Sequence, residues 1–116
     1  MRVLEGEQWL VRIFVGESDR WHGRPLADAL VERLRREGFA GATVLRGLGG
    51  FGARSVIHTT HLLALSQDLP LVIEVVDTEE HVSRLEPILD EMVADGLVTL
   101  EKVRVLRYKA GKPRAQ

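Results

Sequence analysis

Pro70-Leu71-Val72-Ile73-Glu74-Val75-Val76-Asp77 is the stretch that decides the fold. Its β-branched run, opened by a proline and closed by an acid, predicts a strand over Leu71–Val76. Except at Glu74 the strand is apolar on both faces, the pattern of a strand covered on both sides. Immediately downstream, Asp77 or Thr78 can cap a helix, and Glu79 and Glu80 suit its positive N-terminal end. That helix carries the stripe Val82, Leu85, Leu89 and Met92, which Pro87 interrupts and is expected to kink. Gly96 closes it, and Val103–Tyr108 forms a last strand.

Working upstream, Ala42–Arg46 predicts a short strand. Before it, Pro25 suits the first turn of a helix whose stripe is Leu26, Leu30 and Leu34, ended by Gly38. Gly16–Gly23 is polar and turn-rich, and Leu10–Val15 alternates as a first strand, with Val11, Ile13 and Val15 facing away from Leu10, Arg12 and Phe14. The order β-α-β-β-α-β is that of a ferredoxin-like plait, an α+β fold with an antiparallel sheet. Residues 1–116 are read as one domain, with a lead at 1–8, a long glycine-rich loop region at 47–67 and a basic flexible tail at 110–116. Leu10 and Phe14 add to the second apolar face of Leu71–Val76, and another copy of the chain is the simplest cover for it, so self-association is expected.

The totals exclude several classes. A chain of 116 residues supports one ordinary core without staples. It has no cysteine, which removes disulfides, thiolate metal sites and cysteine nucleophiles. A net charge of -1 lacks the broad positive field of generic nucleic-acid binding. Met1–Gln8 lacks the pattern of a signal peptide and no apolar run is long enough to span a bilayer, so a cytoplasmic protein is expected. From Arg104 onward, Arg107, Lys109, Lys112 and Arg114 occur without an acid among them, either as a solvated tail or as anion ligands.

Gly47-Leu48-Gly49-Gly50-Phe51-Gly52 matches G-x-G-x-x-G after a strand, but a dinucleotide fold needs more parallel units than this length supplies. Ile13-Phe14-Val15-Gly16 is similar to the first-strand signature of an RNA-recognition domain, yet Leu71–Val76 lacks the aromatics that would stack bases. His58 and His61 have no carboxylate at ligand spacing, so no metal site is assigned, and His22 and His81 are read as surface residues. No serine sits on a strained turn beside a base, so no catalytic residue is assigned. The glycine cluster itself can cradle an anion with backbone N–H groups, flanked by Arg46, Arg54 and His58. Connections of this length in compact domains usually serve function.

Arg12-Ile13-Phe14-Val15-Gly16-Glu17-Ser18-Asp19, Gly41-Ala42-Thr43-Val44-Leu45-Arg46-Gly47, Asp68-Leu69-Pro70-Leu71-Val72-Ile73-Glu74 and Ile88-Leu89-Asp90-Glu91-Met92 together resemble the PII signalling superfamily, in its uncharacterised PII-like branch, domain-of-unknown-function family 190. The resemblance covers Arg12 to about Gly111. It implies a homotrimer with inter-subunit clefts for an adenine nucleotide, and a long loop that touches a partner such as a membrane transporter or channel. On this reading Arg46, Gly47, Gly49, Gly50, Gly52, Arg54, Arg107 and Lys109 bind the nucleotide or anion, and Phe51, Ser55 and His58 belong to the partner loop. No cofactor is required, and AMP or ADP is the expected ligand. Ala94–Thr99 has none of the basic residues that the superfamily carries in its second loop, which disfavours a triphosphate. The tyrosine that some PII proteins carry in the long loop is also absent. Nucleic acid is not expected as a partner, although an RNA-binding domain and a ligand-independent adaptor remain the alternatives.

Overall fold

The computed structural model describes residues 2–51 and 68–111. The sheet has four antiparallel strands: β1 (Val3–Gly16), β4 (Thr43–Arg46), β5 (Pro70–Asp77) and β6 (Leu97–Lys109), in the order β4-β5-β1-β6. A two-stranded ribbon of β2 (Arg20–Trp21) and β3 (Arg24–Pro25) precedes α1 (Leu26–Arg36). The second helical segment is split into α2 (Glu79–Ser83) and α3 (Leu85–Met92). Sequential strands are thus placed as in the ferredoxin-like plait, and the all-antiparallel pairing excludes the parallel dinucleotide fold that the glycine motif raised.

The core lies between one face of the sheet and the helices. Val11, Ile13 and Val15 of β1 and Ile73 and Val75 of β5 pack against Leu26, Leu30 and Leu34 of α1 and against Leu85, Ile88 and Met92 of α3. The alternation and the first helical stripe select the residues of β1, β5 and α1 among these, whereas in the second helical segment Ile88 is buried and the expected Val82 and Leu89 are only partly so. The opposite face carries Leu10, Arg12 and Phe14 beside Val76, Glu74 and Val72. At its centre Arg12 Nε donates to Glu74 at 2.9 Å, and Arg12 Nη1 donates to Glu101 at 2.5 Å.

Two boundaries differ from expectation. Val3–Gln8, read as a lead, extend β1 and pair with the end of β6, which begins at Leu97 rather than Val103. Gly6 and the charges around it break the apolar alternation, so neighbour pairing and not pattern defines this part of the strand. The second helix does not kink at Pro87 but breaks at Arg84, which leaves Pro87 in the first turn of α3. The first four N–H groups of a helix have no partner within it, so the proline omits nothing there.

Asp77 does not cap α2, a role that falls to Thr78, whose hydroxyl accepts from the His81 N–H at 3.2 Å. Asp77 is instead wholly buried, at 0% exposure. Its carboxylate accepts from Arg2 Nη2 at 2.5 Å, Arg2 Nη1 at 3.0 Å, the Ala40 N–H at 2.8 Å and the Thr78 N–H at 2.7 Å. His81 is partly buried beside this group, with its ring edge-on to Phe39, and is not the surface residue expected; His22 is exposed. Burial pushes the Asp77 carboxyl up, but the Arg2 guanidinium and the two backbone donors outweigh it and hold the group below the usual carboxylate range.

A carboxyl depressed in the native state contributes stability above its unfolded-state range, and that contribution is lost as pH falls through the native value. Arg2→Ala leaves a buried carboxylate without its counter-charge and should cost about 3 kcal/mol at pH 7, the lower end for such a loss because Ala40 and Thr78 still donate. In urea unfolding followed by circular dichroism, the gap between wild type and variant should close once the pH is low enough to protonate Asp77. A gap that stays constant with pH would show that Arg2 acts through packing alone.

Candidate functional site

The expected site residues fall into two groups, one at each end of the sheet. At the first, β4 ends at Arg46 and the chain turns through Gly47-Leu48-Gly49-Gly50. The Gly47 N–H donates to the Pro70 carbonyl at 2.7 Å. A Cβ on Gly47 would meet Pro70 Cγ at 2.7 Å and the Pro70 carbonyl oxygen at 3.2 Å, so this close approach requires glycine. Gly50 has φ +142, again a glycine conformation. Leu48 and Phe51 stand out at 66% and 75% exposure, and Gly49 is exposed between them. Gly52, Arg54, Ser55 and His58, and His61 with them, lie outside the described residues.

Arg46 is not a free cation. Its guanidinium forks onto Glu17, with Nε and Nη2 each 3.0 Å from a carboxylate oxygen. Glu17 is held by the turn that follows β1, where its N–H donates to the Leu69 carbonyl, the Gly16 N–H donates to Asp19 and the Ser18 N–H donates to Asp68. The loop base is therefore a tied turn whose positive charge is already paired. A phosphate entering there would compete with Glu17 for Arg46. The sequence reading missed Glu17, which follows β1, a strand that β5 separates from β4.

The second group sits at the far end of β6. Gly6 pairs with Val105 and Leu4 with Tyr108, so Glu5 alone faces two residues, Leu106 and Arg107. This is a β-bulge, a device that redirects side chains and ends regular pairing. Tyr108 anchors the end of the ribbon by donating its hydroxyl to the Ala40 carbonyl at 2.8 Å, and the Ala110 N–H donates to the Arg2 carbonyl at 3.2 Å. Arg107 and Lys109 are exposed and, like Arg104, have no ion-pair partner among the described residues.

One chain does not bring the two groups together. Lys109 pairs with Val3 at one end of β1, while the Gly47 turn meets Pro70, the partner of Gly16, at the other. Almost all of a 14-residue strand separates them, roughly 40 Å at about 3.3 Å per residue. They also occupy opposite edges of the sheet, on β4 and β6.

In fold the chain is of the PII-like class. CPII of Thiomonas intermedia K12, a nitrogen regulatory PII-like protein solved with ADP, AMP and bicarbonate, has a TM-score of 0.62 at 17% identity over 90% of this chain and 99% of its own. A putative PII-like signaling protein of Thermus thermophilus has a TM-score of 0.60 at 25% identity over 91% of this chain and 94% of its own. Within that class the chain belongs to the DUF190 family (Uncharacterized ACR, COG1993), whose model matches residues 8–105. A UPF0166 protein of Aquifex aeolicus is 39% identical over 91% of this chain and 98% of its own length. A UPF0166 protein of Methanocaldococcus jannaschii is 34% identical over 84% of this chain and 91% of its own.

Gly47→Ala tests the tied turn. The added methyl has to displace Pro70, an overpacking that should cost about 1–3 kcal/mol. Gly41→Ala is the control, because nothing lies within 4 Å of a Cβ there. Thermal unfolding of the two variants should differ by this amount, and equal melting temperatures would show that the Gly47 turn is free to move.

Proposed function

We propose that this chain is a regulatory binding protein that assembles as a homotrimer and takes an adenine nucleotide in the clefts between subunits. The loop region 47–67 would report occupancy to a partner, such as a membrane transporter or channel. The observation that carries the reading is the separation of the two cationic groups. Arg46 with the glycine turn and Arg107 with Lys109 can meet only when a second copy supplies one of them. CPII, which shares the fold, holds ADP and AMP, which supports an adenine nucleotide as the ligand. That CPII is a nitrogen regulatory protein supports relay rather than catalysis. The turn from Val93 to Gly96 carries Asp95 and no base, which favours AMP or ADP over ATP. Among the described residues no helix is long and apolar enough to cross a membrane, and a cytoplasmic location forms part of the proposal.

A second reading has its own observation. Leu48 and Phe51 are exposed at the loop base, as a protein-docking turn would leave them, so an adaptor that needs no ligand is the alternative. A thermal-shift series with AMP, ADP, ATP and an RNA oligomer separates the readings. A nucleotide at a hundred times its dissociation constant should add about 2.7 kcal/mol. No shift with any nucleotide, together with capture of a transporter, would favour the adaptor.

The site itself is tested by calorimetry. Arg107→Ala should remove charge-assisted hydrogen bonds of about 1.5–3 kcal/mol, weakening nucleotide binding about tenfold to hundredfold. Lys109→Ala should cost less, since lysine is a point charge on a flexible stem. Unchanged affinity in Arg107→Ala would make the last strand's cations a solvated edge.

A further inference from the structure

Among the described residues, the helix-bearing face of the sheet is incompletely covered. Between α2, α3 and the start of β6 lies an open groove of about 580 Å³. Its apolar lining includes Trp9, Leu85, Leu89, Val98 and Leu100. Glu79, Glu86 and Asp90 also line it, and no basic residue among the described ones does. The other end of the same strand is the inverse of this surface. Leu106 projects there at 84% exposure, the most exposed large hydrophobic side chain among the described residues. Around it stand Arg104, Arg107 and Lys109, the cations without ion-pair partners.

Apolar knob and apolar groove match in character, and their flanks match in charge. A chain cannot join its own two surfaces. Leu106 lies six residues beyond Leu100 on a strand held by pairing to β1, roughly 20 Å away at about 3.3 Å per residue. We infer that Leu106 of one copy seats in the groove of a second, with its basic neighbours against the acidic lining. Two different patches then meet, a heterologous contact that closes a ring when the rotation permits. The inference rests on the trimer proposed above and names one contact within it.

The contact also bears on the ligand site. The groove reaches Gly96, which packs on the Phe14 carbonyl near the Gly16 end of β1, and the Gly47 turn lies at that same end of the sheet. A ribbon seated by Leu106 would bring the adjoining Arg107 toward the neighbour's loop base, where the described residues of one chain offer the paired Arg46.

The absence of cysteine makes the test direct. Ser83 is an exposed lining residue of the groove. A double variant, S83C with L106C, should give covalent trimers on a denaturing gel after mild oxidation, and only monomers would overturn the contact. In parallel, L106D should raise the concentration at which trimers dissociate at least tenfold by native mass spectrometry. Its circular dichroism should be unchanged, because the side chain takes no part in the core. A wild-type trimer with an L106D trimer of equal stability would overturn the groove contact and leave the trimer standing. A monomeric wild type would overturn both.

Discussion

The carboxylate of Asp77 is the joint on which the arrangement of this chain depends. It stands at the end of β5 and gathers Arg2 from the start of the chain, Ala40 from the turn after α1 and Thr78 from the start of α2. A buried carboxylate is costly without donors, so these four hydrogen bonds are a condition of the fold and not an addition to it. Because Arg2 is fixed, β1 starts at Val3, and because β1 is long, β6 has a partner to its very end. Tyr108 on the Ala40 carbonyl completes the tie. The ribbon that displays Leu106, Arg107 and Lys109 is therefore held to the body at both of its strands.

That fixed ribbon constrains what a single subunit can do. The two cationic groups are separated by the length of β1 and by the width of the sheet, and the strands between them are paired on both sides. No loop rearrangement at 47–67 can bring Arg107 of the same chain to the glycine turn, since Arg107 does not belong to a movable segment. Arg46 in turn is tied to Glu17, so the loop base offers backbone N–H groups and a cation that must be taken from an existing partner. A ligand that draws Arg46 from Glu17 would loosen the turn after β1 and the loop base together.

Most of the fold was legible because it rests on periodicity. Leu26, Leu30 and Leu34, the alternation over Leu10–Val15 and the apolar run Leu71–Val76 each select the residues that fill the core. What was not legible depends on pairing across the chain. Val3–Gln8 have no strand pattern of their own, and only β6 makes them a strand. Asp77 follows an apolar run and precedes a capping threonine, so its local sequence suggests a helix start, whereas the Arg2 that explains its burial is 75 residues away. At the candidate site Gly47 has a demonstrable steric reason, but Glu17 and the bulge opposite Glu5 are consequences of register. Register cannot be read from either strand alone.

In the proposed assembly the bulge would bring subunit contact and ligand binding onto one short piece of β6. In regular alternation, neighbouring residues point to opposite faces, and a strand edge can serve only one partner with each. Two residues set against Glu5 instead of one release Leu106 and Arg107 from that alternation, in the part of the ribbon that extends beyond the last β5 pairing at Trp9. An exposed leucine on an open edge is a hazard in a monomer, because unpaired strand edges invite indiscriminate pairing. Cations on both sides make indiscriminate pairing costly by like-charge repulsion, while leaving an acid-lined apolar groove as a fitting partner. In the proposed assembly the charges that protect the edge of an isolated subunit would be the same ones offered to the ligand, so the last strand could be selective in both roles without further residues.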